Sequence, residues 1–101
     1  MVNKKQAIVW DKLAKEYLKQ SLNFIKQESP QNALNIKREI KAAIDAIPAY
    51  PKRYPTDKYR INNIGNYRAL EIYNFRISYF IGNTEIRIVR IRHTGQEPKE
   101  Y

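Results

Sequence analysis

Apolar positions recur along this chain with two different periods, and the change of period divides it. Leu13, Ala14, Tyr17, Leu18, Ser21, Leu22 and Ile25 fall at steps of three and four. That spacing predicts an amphipathic helix over about residues 11–28, with Asp11 at its N-cap. The lysines at 12, 15, 19 and 26 lie mostly off the apolar face. The run "ESPQNA" then interrupts the pattern, offering Ser29 as a cap and Pro30 as a first helical residue whose missing N–H costs nothing there. A second helix follows over about 30–47, with Ala33, Ile36, Ile40, Ala43, Ile44 and Ile47 on one face and Pro48 at its end. A connection this short predicts an antiparallel helical hairpin.

Strand-like runs flank the hairpin. "QAIVW" (6–10) precedes it, and "YRALEIY" (67–73), "FRISYFI" (75–81) and "EIRIVRIRH" (85–93) close the chain, all rich in β-branched and aromatic residues. The last three are separated by a tight turn near Asn74 and by "GNT" at 82–84, which predicts an antiparallel meander. Residues 48–65, with three prolines, two asparagines and a glycine, form the one long irregular stretch. A loop of that length in a small domain is commonly functional. The order β-α-α-β-β-β describes a single α+β domain over 1–101, the helical hairpin packed on one face of an antiparallel sheet and the other face partly open.

Composition narrows the class. Hydrophobic content of 43% and charged content of 29% suit a folded globule rather than a disordered chain. No apolar run is long enough to span a bilayer, the start does not read as a signal peptide, and a cytoplasmic protein is the simplest expectation. With no cysteine and a single histidine, a thiolate or structural zinc site is not expected, and no cofactor is implied. The net charge of +9 favours a polyanionic partner. Arg38 is the only arginine among the first fifty residues; Arg53, Arg60, Arg68, Arg76, Arg87, Arg90 and Arg92 all follow. Arginine is the planar, bidentate phosphate ligand, so anion chemistry is sought in the second half.

Alternation along 75–81 places Phe75, Ile77, Tyr79 and Ile81 towards the core and Arg76 on the open side. Along 85–92 neither set is cleanly apolar: Ile86, Ile88, Arg90 and Arg92 alternate with Arg87, Val89 and Ile91. A bulge or a central strand with both faces partly covered would each explain this, and the sequence does not choose. Arg68 shares a face with Leu70 and Ile72 and is equally ambiguous. These arginines either solubilise the sheet and pair with Glu71 and Glu85, or line an open face where guanidinium and aromatic groups together would suit RNA.

The strand signatures "YRALEIYNFRISYFI" and "IRIVRIRH", following a helical hairpin broken by "SPQNA", resemble the RelE/ParE superfamily of toxins from type II toxin–antitoxin systems over about residues 6–98. The resemblance implies a small cytoplasmic toxin neutralised by a cognate antitoxin, in a toxin–antitoxin hetero-oligomer. RelE-like members cut mRNA on the ribosome without metal; ParE-like members share the fold, lack the nuclease residues and poison DNA gyrase. A non-toxic interaction domain of the same fold is a third possibility. Metal-free cleavage needs a base for the ribose 2′-OH, cations for the phosphorane and an acid for the leaving oxygen. Carried over residue by residue, the nuclease reading makes Arg76 and Arg92 phosphorane ligands, His93 the acid or base, and Tyr101 the group that positions a base or carries a proton. Arg68, Arg90, Lys58 and Arg60 would contact nucleic acid. On that reading His93→Ala and Arg76→Ala each relieve growth arrest. The lysine pair of RelE on the second strand is missing, Glu71 is either a base or a partner of arginine, and "TGQEPKEY" does not closely match the RelE tail.

Overall fold

The computed structural model describes residues 6–96 and 99–101. Strand β1 (Ala7–Trp10) leads into helix α1 (Lys12–Glu28), helix α2 (Pro30–Asp45) and a short 3-10 turn (Ile47–Ala49); strands β2 (Tyr67–Ile72), β3 (Phe75–Ile81) and β4 (Glu85–His93) follow. The caps are those expected. The Asp11 side chain accepts from the Leu13 N–H at 3.0 Å. One residue joins the helices: Ser29 donates its backbone N–H to Ile25, closing α1, while its hydroxyl accepts from the Asn32 N–H at 3.1 Å, opening α2. Helix α2 stops at Asp45, two residues before the expected end, because Pro48 tightens the last turn into 3-10 geometry.

The sheet order is β1-β4-β3-β2. β2, β3 and β4 form the expected antiparallel meander, and β1 adds parallel to β4, so the sheet is mixed. The β2–β3 turn places Tyr73 at φ 50 and Asn74 at φ 65. Positive φ at both central residues is the signature of a type I′ turn, whose twist matches the flanking strands. Ala14, Ile36, Ile40 and Ile44 of the helices close over Leu70, Phe75, Ile77, Tyr79, Ile86, Ile88 and Ile91 of the sheet.

The ambiguity in β4 is resolved by a bulge. The register runs Tyr79 opposite Ile88 but Ser78 opposite Arg90, leaving Val89 without a partner on β3. The extra residue swaps the phase of the pleat. Ile86 and Ile88 before it and Ile91 after it therefore all reach the core, while Arg90 and Arg92 emerge on the same face as Arg76. Without the bulge, one unbroken alternation would direct two guanidinium groups into the apolar layer.

The long loop is ordered by side chains that satisfy its backbone. Arg68 donates from Nε to the Gly65 carbonyl and from Nη1 to those of Lys52 and Tyr54. Asn63 bridges the carbonyls of Asp57 and Tyr67, and the Tyr79 hydroxyl donates to the Pro51 carbonyl at 2.6 Å. Thr56 and Asp57 run along the outer edge of β2. Beyond that edge the loop meets the face opposite the helices, where Asp57 and Tyr59 contact Arg76 and leave the face half covered.

Candidate functional site

Two strands and the loop bring the chemistry together on that half-covered face. Arg76 and Arg92 are direct cross-strand partners, and Arg90 lies opposite Ser78 one step along. With Tyr59, Glu71 and Lys99 they line a cleft of about 530 Å³. Two of its lining residues, Arg76 and Tyr59, are held from behind by a carboxylate, Asp57, which is 2% exposed. Asp57 Oδ1 accepts from Arg76 Nη2 at 2.9 Å and from the Tyr59 N–H at 3.1 Å; Oδ2 accepts from the Tyr101 hydroxyl at 2.5 Å. Burial alone would raise the pKa of Asp57, but the bonds from Tyr101, Arg76 and the Tyr59 amide outweigh it and hold the group below its ordinary value. The site thus contains a permanent, internally neutralised anion.

Both terminal nitrogens of Arg76 are engaged, while its buried Nε has no partner among the described residues. Its Nη2 is bound to Asp57, its Nη1 donates to Glu71 at 2.9 Å, and its side chain is only 14% exposed. Burial opposes its charge, yet the two carboxylates raise its pKa above the usual arginine value. The guanidinium carbon lies 4.8 Å from the centre of the Tyr59 ring.

Tyr101 is docked rather than frayed. Its N–H donates to the Tyr59 carbonyl at 2.9 Å and its carbonyl accepts from the Ile61 N–H at 2.7 Å, a strand-like pairing with the loop. The ring lies under Arg90 at 4.0 Å and beside Arg60 at 5.1 Å. Burial and the bond to Asp57 push its phenol up to about 12, so it is protonated at neutral pH and its proton points at Asp57. Arg60 also stacks on Tyr67 at 4.2 Å. Burial draws Arg90 below the ordinary arginine value, only partly offset by Tyr101.

The other expected site residues are placed less uniformly. Arg92 is exposed, donates to its neighbour's carbonyl and lies 5.1 Å from the Tyr17 ring. His93 pairs with Phe75, and so belongs by register to the helix-side face. Its ring meets Phe75 edge-on at 5.8 Å, and Nδ1 accepts from the Gly95 N–H at 3.2 Å. At the end of β4 it nevertheless lines the same cleft as Arg90 and Arg92. Arg68 is bound into the loop from the helix-side face, and Lys58 is exposed beside the Tyr59 ring. Within the tail "TGQEPKEY", Glu97 and Pro98 lie outside the described residues. Asp57, the residue that organises the face, was not singled out from sequence. The available signal is that it is the only acid among the cations of 48–65.

Among the described residues there is no cluster of three or more His, Cys, Asp or Glu side chains placed to hold a metal, and no helix is long and apolar enough to cross a membrane. No curated protein sequence matches the chain significantly. Among solved structures, one titled "Chromosomal ParDE TA system from P. aeruginosa" superposes with a TM-score of 0.68 over 88% of this chain and 96% of that one, at 18% identity; that likeness concerns the fold. The family model described as "ParE toxin of type II toxin-antitoxin system, parDE" matches residues 8–98, nearly the whole chain and all of the strands and helices above except Ala7. The chain belongs to the ParE toxin family of type II toxin–antitoxin systems.

Proposed function

We propose that this toxin acts by binding, as a poison of DNA gyrase, and not by cutting mRNA, and that a cognate antitoxin silences it. The observation that carries the reading is Asp57. A nuclease of the RelE type would present the strand arginine to a scissile phosphate. Here a buried carboxylate already occupies that arginine, and a second, Glu71, takes its other terminal nitrogen. A phosphate entering at Arg76 would meet a fixed negative charge and would have to break a buried ion pair, at a cost of about 3–5 kcal/mol. Of the remaining nuclease candidates, Arg92 is exposed in the cleft, while the other two have partners within the chain. The Tyr101 proton is committed to Asp57, and His93 turns its ring towards Phe75. The ParE match supports the gyrase branch of the superfamily over the nuclease branch.

One observation favours the second reading. Arg90, Arg92, Lys99 and His93 line one cleft with Arg76, where cations outnumber Glu71 and Glu100, and such a cleft could hold an RNA backbone. The two readings separate in cells. After induction without antitoxin, the binding reading expects loss of negative supercoiling and arrested replication while protein synthesis continues at first. Immediate arrest of translation with ribosome-dependent mRNA breaks, and intact supercoiling, would overturn it.

A further inference from the structure

The open sheet face uses arginine; the helical layer carries a separate cationic surface that the site does not employ. Lys12, Lys15, Lys19 and Lys26 are all exposed on α1. At 100° per residue they fall within an arc of about 60° and extend about 21 Å along the helix. No acid of α1 lies inside that arc; Glu16 lies just beyond it. Among the described residues none of the four makes an ion pair, whereas Lys41, Arg76 and Arg87 do.

Unpaired like charges along one helix flank repel one another, and a polyanion relieves that repulsion. Three features indicate which polyanion. The groups are lysines, point charges suited to phosphates rather than to planar base edges. No aromatic side chain lies among them, so the stacking platform that single-stranded nucleic acid uses is absent from this flank. No apolar residue lies among them either. Ala14, Tyr17, Leu18, Leu22 and Ile25 of α1 pack into or against the core. Leu13, expected on that apolar face, is exposed instead, but it and the exposed Phe24 lie about 100° or more from the centre of the lysine arc, which leaves nothing on this flank to insert into a bilayer.

We infer that the Lys12–Lys26 flank of α1 is a sequence-independent contact for the phosphate backbone of duplex DNA. The inference rests on the gyrase reading only for where the duplex comes from: a toxin seated on gyrase would lie beside the DNA that gyrase holds. The contact itself is a property of the helix.

The test uses the full chain and a short fluorescent duplex of arbitrary sequence, followed by anisotropy between about 50 and about 200 mM salt. Neutralising four phosphates predicts a log–log slope of about −3.6, or roughly a 100-fold loss of affinity across that range. Replacing all four lysines by glutamine should remove most of that slope, and replacing them by arginine should keep it. The exposed positions should leave the melting temperature unchanged. If the glutamine variant keeps the wild-type slope while Arg90→Gln/Arg92→Gln loses it, the contact lies on the other face and the inference fails. Equal or tighter binding to single-stranded RNA or to anionic vesicles would also overturn it. A supercoiling assay separates this inference from the reading it extends. If wild-type protein does not affect gyrase, the gyrase reading has failed, whatever the duplex titration shows. If wild-type and glutamine variants inhibit gyrase equally and bind duplex equally, only the lysine contact has failed.

Discussion

Replacing Asp57 by asparagine tests the architecture of the open face at its centre. The carboxylate is buried and receives three donors: Arg76 Nη2, the Tyr101 hydroxyl and the Tyr59 N–H. Removing one partner of a buried ion pair typically costs about 3–5 kcal/mol. Two features reduce that here. Arg76 keeps its bond to Glu71, and asparagine retains one carbonyl oxygen for Arg76 or the amide. A loss of about 2 kcal/mol is expected for Asp57→Asn and about 3 kcal/mol for Asp57→Ala, which leaves no acceptor at all. In a domain of this size 2 kcal/mol corresponds to a fall in Tm of about 10 °C. The pH dependence supplies the sharper check. The folded-state pKa of Asp57 is lowered from the ordinary 3.8. Its stabilisation is therefore complete above pH 3.8 and lost as pH falls below that towards the depressed value. Urea unfolding of wild-type and Asp57→Asn, followed by the fluorescence of Trp10, should show a constant gap near neutrality that closes in acid. A gap under about 0.5 kcal/mol at pH 7, or one that widens as pH falls, would refute the reasoning.

Other perturbations report on neighbouring parts. Tyr79 and Tyr101 both have phenols raised from 10.0 to about 12, so the stability they confer in the neutral form is present below pH 10 and lost as pH rises from 10 to about 12; Tyr101→Phe should flatten that alkaline limb, and an unchanged limb would contradict the docking of Tyr101. The same variant should lose about 1.5–3 kcal/mol at neutral pH, as expected for a hydrogen bond to a charged group. Tyr73 holds φ 50 in the β2–β3 turn without the backbone freedom of glycine or asparagine, so Tyr73→Asn should raise stability by about 0.5–1 kcal/mol in a thermal melt, and a lowered Tm would argue against the type I′ assignment. His93→Ala should leave toxicity within a few-fold of wild type in an induction assay; a general acid or base would cost about 10²–10⁴-fold.

The helical half was legible because its information is local. Steps of three and four, Asp11, Ser29 and Pro30 each act within one or two turns of where they stand. The meander was legible for the same reason, since its strands are joined by short turns with recognisable residues. What the sequence withheld is non-local. Whether β1 runs parallel or antiparallel depends on its meeting β4 some eighty residues later. The bulge at Val89 is a property of two strands in register, and without it the arginines of β4 cannot be assigned to a face. Arg76 was placed on the correct side by alternation, but nothing nearby announces that Asp57, nineteen residues earlier in a proline-rich loop, neutralises it. His93 illustrates the same limit. It lines the cleft beside Arg92, yet its register opposite Phe75 and its edge-on contact with that ring follow from a pleat whose phase the bulge had already shifted.

The most direct measurement places purified toxin in two parallel reactions, one with gyrase and relaxed plasmid and one with translating ribosomes whose mRNA is mapped by primer extension. Inhibited supercoiling in the first, with intact message in the second, is the expected result. Discrete breaks in the ribosome-bound message, abolished by Arg76→Ala at a temperature where that variant remains folded, would contradict a face built on a neutralised arginine.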